Sequence, residues 1–292
     1  MAIDSANALI LYNAGSTDAN ALAERLRELL GCERALRSTA DGFVDIGSPA
    51  PEVLVTVGGD GTLLRAASVA AQAAVPLLGV NLGRLGFLTE IEAADALDLV
   101  PRYLDGSIGN IYERHMLAVE AGQAEPVHAL NDVVVGRAAA GHLARIGVRI
   151  DGAELTTYQA DAVIVATATG STAYALSAGG PILYPSSAEM VLAPVAAHGD
   201  LDAPVVVPSA STIELTVKSD YPAVMTADGF VDVPLSGGDT VRVTASSHRA
   251  RFLRAGSEAR FYETLVYRLR RGADQSVMLA RDIAKEQARR GG

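Results

Sequence analysis

The sequence predicts a fold in two parts, an α/β part with a largely parallel sheet followed by an all-β part. In the first third of the chain, short apolar runs alternate with stretches of helical periodicity, which is typical of α/β layers. From about Ile111 the hydrophobic period changes to two, which is typical of strands with one buried face. The last stretch is helical in pattern and rich in arginine; by pattern alone it could pack on the first part or project from it.

The first part alternates predicted strands and helices. Its predicted strands are the apolar runs 8–12, 53–57 and 76–80. The first helix begins near the capping residue Asp18 and ends at Gly31. A second helix begins near Leu63 after a glycine turn, and an amphipathic helix over 93–104 closes this part, which we assign to residues 1–108.

The second part, residues 109–256, is predicted to be all-β. Its strand-like runs, separated by Gly, Pro, Asp and Ser, are 116–120, 127–135, 143–150, 162–166, 212–217 and 241–244. The helical pattern over 257–292 forms a third segment. The uncharged run between Asp161 and Glu189 is long enough to span a bilayer, but its glycines and prolines indicate buried loop and strand instead.

Charge and residue usage exclude several classes of function. With 24 basic and 34 acidic residues the formal charge is -10, which argues against a nucleic-acid partner. Lys218 and Lys285 are the only lysines and neither follows a glycine-rich loop, which excludes a Walker A loop and a protein-kinase lysine. The single cysteine, Cys32, excludes disulfides within the chain. Neither a signal peptide nor a membrane span is predicted, so we expect a cytoplasmic protein.

The strongest local signal is Gly58-Gly59-Asp60-Gly61-Thr62, which follows a predicted buried strand and precedes a helix. Glycines let the backbone adopt positive φ and approach an anion closely, and the N–H groups at a helix N-terminus favour phosphate. Asp60 could accept a proton from an attacking hydroxyl, or could hold a divalent metal. An Asx turn at the end of a strand is the purely structural alternative.

Three further segments place polar groups among apolar neighbours. The run 81–89 suggests a tight loop under the first glycine turn, with Arg84 free to meet a phosphate, or else a loop with a purely structural role. The run 167–181 is rich in hydroxyls and small residues, which suit an amide, a ribose or a base edge; a Ser/Thr-rich turn is the structural alternative. Asn131-Asp132 lies inside an apolar run, where the acid could accept two vicinal ribose hydroxyls unless it marks an edge strand or a bulge.

Taken together, V-G-G-D-G-T, N-L-G-R-L-G-F-L-T, A-L-N-D-V and T-G-S-T-A-Y-A-L-S-A-G-G-P, in this order, resemble the motifs of the NAD kinase family. The resemblance implies a Rossmann-like α/β domain, a β-sandwich-like domain, a nucleotide site between them, and a chain end over 257–292 that returns to the first domain. It implies phosphoryl transfer from ATP or polyphosphate to the 2′-hydroxyl of the adenosine ribose of NAD. A divalent metal, expected to be Mg²⁺, and a homodimer or homotetramer are implied as well.

The resemblance also assigns residues by position. Asp60 is similar to the general base of the family, and the positions similar to its phosphate-donor loop are Gly58, Gly59, Gly61 and Thr62. The positions similar to its NAD-binding residues are Asp60, Gly61, Arg65, Asn131, Asp132, His142, Asp161, Thr172, Ala173, Tyr174, Ser177 and Ala196. Of these, Asp161 is expected to come from a neighbouring subunit. No protein side chain is assigned to the metal, because the histidines show no metal-ligand spacing.

The chain departs from the family pattern in three places. Ala168 stands where relatives usually have proline, Phe230 stands where they often have a polar residue, and the run 197–204 is acidic and lacks an arginine at Ala203. Two alternatives follow, a dinucleotide-binding regulator that has lost catalysis and a lipid or sugar kinase of the same superfamily. The second alternative would share G-G-D-G-T but should lack the second and third motifs.

Overall fold

Two β-sheets organise this computed structural model, which describes residues 2–38, 44–83, 86–122, 125–139, 141–198, 201–255 and 261–266. The strands are β1 Ala8–Asn13, β2 Arg34–Ser38, β3 Val53–Gly58, β4 Pro76–Asn81, β5 Ile91–Glu92, β6 Asn110–Ala121, β7 Val127–Ala129, β8 Asp132–Arg137, β9 Ala144–Ile150, β10 Ala153–Ala160, β11 Ala162–Ala166, β12 Met190–Val195, β13 Val205–Val207, β14 Ile213–Val217, β15 Ala223–Ala227, β16 Val231–Leu235 and β17 Thr240–Arg254. The helices are α1 Thr17–Leu30, α2 Asp60–Gln72, α3 Ala96–Leu104 and α4 Tyr174–Ser177.

Sheet A combines the predicted parallel strands with antiparallel ones. Its order is β10-β9-β14-β17-β4-β3-β1-β2, with β5 beside β4, β6 beside β17, and β7 beside β6. Strands β1 to β4 are parallel and lie in the order β4-β3-β1-β2. The connection after β1 therefore runs toward one edge of the sheet and the connection after β3 runs toward the other. In open parallel sheets, ligands bind at the carboxyl ends of the strands at such a point. The turn after β3, which holds Asp60, is therefore placed as in a nucleotide-binding sheet.

The long strand β17 carries the chain end back into the N-terminal sheet. It pairs antiparallel with β14 and β6, and its last residues pair parallel with β4 through Arg251 beside Pro76 and Phe252 beside Leu77. The expected return of the chain to its first part is thus made by a strand. Sheet A also extends beyond residue 108, the predicted end of the first part, because β6 joins the sheet through β17.

Sheet B packs on the antiparallel side of sheet A and completes a β-sandwich. Its order is β13-β12-β11-β8-β15-β16, and all its pairs are antiparallel. One buried cluster joins the two sheets, with Leu117 and Leu215 from sheet A against Val163 and Met225 from sheet B. Each fully buried aliphatic side chain of this kind contributes roughly 1.5–3 kcal/mol to the free energy of folding. The expected pairing of an α/β part with a sandwich-like part is confirmed.

Separate apolar clusters cover the two faces of the parallel strands. Leu26 of α1 and Val100 of α3 belong to one cluster, and Leu63 and Ala67 of α2 belong to the other. Helix α1 ends as expected, with Gly31 in the left-handed region at its C-cap, but Ser16 is its N-cap and the predicted capping residue Asp18 lies in the first turn. No helix among the described residues is long and apolar enough to cross a membrane.

Two other predicted boundaries of elements were wrong, and both of these lie at the site. The run 127–135 is two strands, because the chain leaves sheet A after Ala129 and enters sheet B at Asp132. Helix α2 begins at Asp60, three residues before the predicted start, so that Asp60 lies in its first turn.

Contacts separate a first unit that ends at Arg254 from a second that begins at Ala255. Residues 261–266 of the second unit are helical, in agreement with the predicted helical segment over 257–292. Most of that segment lies outside the described residues. Its packing and the predicted boundaries of the domains therefore stay predictions.

Candidate functional site

The glycine turn after β3 leaves an open backbone surface at the start of α2. A Cβ atom on Gly58 would lie 2.3 Å from Oγ1 of Thr62, so only glycine fits there. A Cβ atom on Gly59 or Gly61 would meet nothing within 4 Å. None of these three glycines has positive φ, so the expectation of a left-handed turn was wrong. Their absent side chains leave the helix N-terminus uncovered, which suits the close approach of a phosphate.

The Asp60 carboxylate binds the loop formed by the second motif. Its Oδ2 accepts a hydrogen bond from the N–H of Phe87 at 2.7 Å, and its Oδ1 accepts from the N–H groups of Leu88 at 3.2 Å and Thr89 at 3.1 Å. The Thr89 hydroxyl donates to Oδ1 as well, at 3.3 Å. A Cβ atom on Gly86 would lie 1.6 Å from this oxygen, so a side chain there is incompatible with the contact. The predicted placement of the second motif against the first is confirmed.

Polar contacts within the loop hold Thr89 in place. The Asn81 side chain donates to the Thr89 hydroxyl at 3.0 Å, and the Gly86 N–H donates to it at 2.8 Å. The Asn81 side-chain oxygen in turn accepts from the N–H of Gly83 at 2.9 Å. Arg84 lies outside the described residues, so its expected phosphate contact stays a prediction.

Asn131 and Asp132 lie where the chain crosses from one sheet to the other, and a buried aspartate holds this crossing. The Asp228 carboxylate accepts hydrogen bonds from three consecutive N–H groups, those of Leu130 at 2.8 Å, Asn131 at 2.7 Å and Asp132 at 3.1 Å. From the other side, the Thr167 hydroxyl donates to the Leu130 carbonyl at 2.6 Å. The backbone of the predicted NAD-binding pair is therefore clamped between two loops.

The carboxylates of Asp132 and Asp228 are both buried but differ in their hydrogen bonds. Asp132 is 6% exposed, and among the described residues its carboxylate makes no hydrogen bond; burial raises its pKa to about 6. Burial also raises the pKa of Asp228, to about 7, although its three N–H donors favour the charged form. At neutral pH the Asp132 carboxylate is therefore mostly ionised. This carboxylate lines a cavity and accepts no hydrogen bond from the described protein groups, so its oxygens are available to a ligand.

Two cavities meet at Asp228. One, of about 390 Å³, is lined by Asn131, Asp132, Val134, Ala173, Tyr174, Thr226, Asp228 and Gly229. The other, of about 420 Å³, lies between α2 and the β15–β16 turn; its lining includes Arg65, His128 and Phe230. The Arg65 guanidinium lies 5.2 Å from the centroid of the Phe230 ring, which is within cation–π range. Together the cavities are large enough for an extended ligand with polar groups at several points.

Three of the predicted NAD-binding residues lie at the opposite end of sheet B. Asp161 precedes β11 and forms an ion pair with Arg137 at 2.9 Å, and Ala196 follows β12 next to it. His142 stacks on Tyr221 at a centroid distance of 3.8 Å. Strand β11 separates this end from the crossing, a distance of about 20 Å at roughly 3.3 Å per residue. One chain therefore does not bring these residues to the cavities.

The remaining predicted residues lie in the loop after β11. Thr172 donates its hydroxyl to the Thr169 carbonyl at 3.1 Å, and Ser177 is exposed at the end of α4. Neither lines the two cavities as the described residues form them. Sequence reasoning did not assign a role to Asp228, whose only sequence signal was the Asp-Gly pair typical of a hairpin turn. Its φ of 50° and the 76° of Gly229 fit such a turn.

Comparison with known proteins agrees with this geometry. The family model for the ATP-NAD kinase N-terminal domain matches residues 10–108, and the one for the ATP-NAD kinase C-terminal domain matches residues 130–255. An NAD kinase of Moorella thermoacetica is 42% identical over 230 residues, which are 77% of this chain and 73% of that protein. An NAD kinase of Dehalococcoides mccartyi is 38% identical over 231 residues, 77% of this chain and 81% of that protein.

The chain belongs to the NAD kinase family. A crystal structure of an NAD kinase from Archaeoglobus fulgidus in complex with ATP has the same fold; it has a TM-score of 0.70 and 25% identity, and the match covers 86% of this chain and 94% of that one. The reaction of the family is the ATP-dependent phosphorylation of NAD to NADP, and the chain is an enzyme of this type. The resemblance inferred from the four motifs is confirmed, and it is favoured over the alternative of a lipid or sugar kinase.

Proposed function

We propose that Asp60 is the general base of an NAD kinase reaction at the start of α2. The observation that carries this proposal is the position of its carboxylate, in the first turn of α2 beside the open backbone of Gly59 and Gly61. The 2′-oxygen of NAD attacks the γ-phosphorus of ATP, the bond to the β-phosphate oxygen breaks, ADP leaves, and the hydroxyl proton passes to Asp60. A ribose hydroxyl is a weak nucleophile, so alignment and a positioned base supply much of the rate.

The phosphate donor is proposed to lie on the glycine turn. Gly58, Gly59, Gly61 and Thr62 place backbone groups and the positive end of the α2 dipole at this point. Because the chain has no lysine here, the backbone amides are proposed to bind the donor phosphates.

Two observations make the cavities at Asp228 a suitable dinucleotide site. The unpartnered Asp132 carboxylate can accept two vicinal ribose hydroxyls, and Tyr174, a residue that is 44% exposed, offers an aromatic ring beside it. We assign Asn131 and Ala173 to the same wall, and Arg65 to a phosphate of the dinucleotide in the adjacent cavity. Thr172 and Ser177 are proposed to complete the site on the α4 side.

The reaction is also expected to need a divalent cation. Among the described residues, no group of three or more His, Cys, Asp or Glu side chains is placed to hold a metal. The described residues therefore form no such cluster. Mg²⁺ commonly keeps several waters and binds through one or two carboxylates together with the substrate phosphates.

The first experiment measures NADP formation from NAD, ATP and Mg²⁺, coupled to an NADP-specific dehydrogenase. We expect Asp60→Asn to lower kcat by roughly 10³-fold, within the range for general bases, with NAD binding largely retained. Asp18→Asn, which alters an exposed aspartate in the first turn of α1, is the matched control and should leave kcat unchanged.

Other outcomes separate the alternatives. Equal turnover in Asp60→Asn would remove Asp60 as the base. NAD binding without NADP formation from ATP or polyphosphate would instead support a regulator that has lost catalysis, which the altered run 197–204 suggests.

A further inference from the structure

The last residue of β17, Arg254, contacts the loop that holds Asp60. Its Nη2 donates to the carbonyl oxygens of Phe87 and Leu88, both at 2.9 Å. Its Nη1 lies 3.3 Å from Oε2 of Glu90. The Arg254 side chain is 20% exposed and that of Glu90 is 14% exposed, so the ion pair is largely shielded from water.

Arg254 and Asp60 bind the two ends of the same peptide groups. The peptide between Phe87 and Leu88 accepts from Arg254 through its carbonyl and donates to Asp60 through its N–H. The next peptide, between Leu88 and Thr89, does the same. Two adjacent peptide dipoles are therefore aligned between a guanidinium and a carboxylate. A cation at the carbonyl end polarises a peptide and strengthens the hydrogen bond that its N–H makes at the other end.

Neighbouring groups fix Arg254 in this position. The Tyr103 hydroxyl donates to Oε1 of Glu90 at 2.8 Å, which holds the carboxylate that pairs with the guanidinium. The guanidinium also lies 5.7 Å from the centroid of the Phe252 ring. On the other side of the loop, Gly86 packs closely against the Asp60 carboxylate, where a Cβ atom would clash.

We infer that Arg254 is a positioning residue for Asp60, acting through the peptide groups of Phe87, Leu88 and Thr89. This inference rests on the proposed role of Asp60 as the base. Without the guanidinium, the two peptides lose the hydrogen bonds at their carbonyl ends and can rotate, so the carboxylate is no longer held in one orientation. The chemical step then suffers more than substrate binding, because Arg254 acts on the base and not on the substrates.

The test compares Arg254→Gln with Arg251→Gln. Arg251 lies on the same strand, is 40% exposed and pairs with Glu113 away from the loop, so its variant should retain wild-type kinetics. We expect Arg254→Gln to lower kcat by roughly 10- to 100-fold, the loss that a small misplacement of a reacting group causes. The KM values for NAD and ATP should change less than about threefold, because ground-state binding is unaffected.

A double mutant isolates the path of this effect. If Arg254 acts through Asp60, then Asp60→Asn combined with Arg254→Gln is no slower than Asp60→Asn alone. If Arg254→Gln folds poorly, Arg254→Lys replaces it in the same cycle. A full multiplicative loss in the double mutant, or wild-type kcat in Arg254→Gln, would overturn the inference. Wild-type kcat in Asp60→Asn would instead overturn the proposed function.

Discussion

The carboxylates of Asp60 and Asp132 differ in how their oxygens are satisfied. Asp60 accepts four hydrogen bonds from the 86–89 loop, three at Oδ1 and one at Oδ2, so it is held in one orientation while Oδ2 keeps a lone pair for a proton. Asp132 is buried with no donor of its own among the described residues. We therefore expect loss of the first to reduce turnover and loss of the second to weaken NAD binding.

Burial of Asp132 predicts a pH-dependent cost to stability. Its pKa rises from 3.8 to about 6 on folding, so between these values the unfolded chain loses a proton that the folded chain keeps, and stability falls as pH rises. The pKa of Asp228, which faces Asp132, is raised to about 7, so its ionisation also lowers stability as pH rises toward that value. We expect Asp132→Asn to stabilise the free protein by up to roughly 3 kcal/mol at pH 8 and not at pH 4.

Urea unfolding at pH 4 and pH 8 checks this prediction. Asp232→Asn, at an exposed aspartate of the same sheet, controls for the substitution itself. An equal gain for Asp132→Asn at both pH values would show that the carboxylate is not the source. The KM of Asp132→Asn for NAD should rise at pH 8 as well, because the amide accepts fewer hydroxyl donors.

At the scale of elements, the turn between β15 and β16 supports the crossing between β7 and β8. A hairpin turn normally ends a pair of strands without contacting distant residues, but here its aspartate reaches a segment more than ninety residues earlier in the chain. The crossing in turn presents Asn131 and Asp132 to the cavity. A turn residue thus controls a binding segment in another part of the fold.

This arrangement predicts the effect of Asp228→Asn. The amide can replace one carboxylate oxygen but places its NH₂ group against a backbone N–H, so at least one buried donor loses its acceptor. We expect a higher KM for NAD, because loss of a buried hydrogen bond loosens the segment that presents Asn131 and Asp132. Asp239→Asn is the control, because Asp239 accepts a backbone N–H from Ser236 in an exposed turn. An equal KM for NAD in the two variants would contradict the argument.

At the scale of the whole molecule, the predicted NAD-binding residues fall into two groups that one chain keeps apart. Asn131 and Asp132 lie at one end of sheet B, and His142, Asp161 and Ala196 lie at the other. We propose that a second copy of the chain brings its Asp161 end to the cavities of the first. The active unit would then be at least a dimer, as the family resemblance implied.

Complementation tests this proposal. Asp132→Ala and Asp161→Ala should each be impaired alone, whereas a co-refolded mixture should recover about a quarter of wild-type activity, because half of the dimers are mixed and each mixed dimer has one intact site. Mixing Asp132→Ala with Asn131→Ala should recover nothing, since both changes lie at the same end. No recovery in the first mixture would place the residues of each site in one chain.

The sequence by itself determined the family, the class of each part and most of the candidate residues. Glycines that permit close approach, an acid in the turn between a strand and a helix, and apolar strands depend on interactions within a few residues, so they can be predicted from the motifs. The break in the run 127–135 could not be predicted in this way, because sheet partners decide where a strand ends. Neither could the first residue of α2, because Asp60 is held there by the distant 86–89 loop.

Only the tertiary structure decided which distant groups meet. Asp60 reaches Phe87, Asp228 reaches Leu130, and Arg254 reaches Phe87 across separations of 27, 98 and 167 residues. These contacts depend on the order of strands in sheet A and on the pairing of β17 with β4. Neither can be predicted from local sequence patterns. For the same reason, the motifs could not show that His142 and Asp161 lie far from Asp132 in one chain.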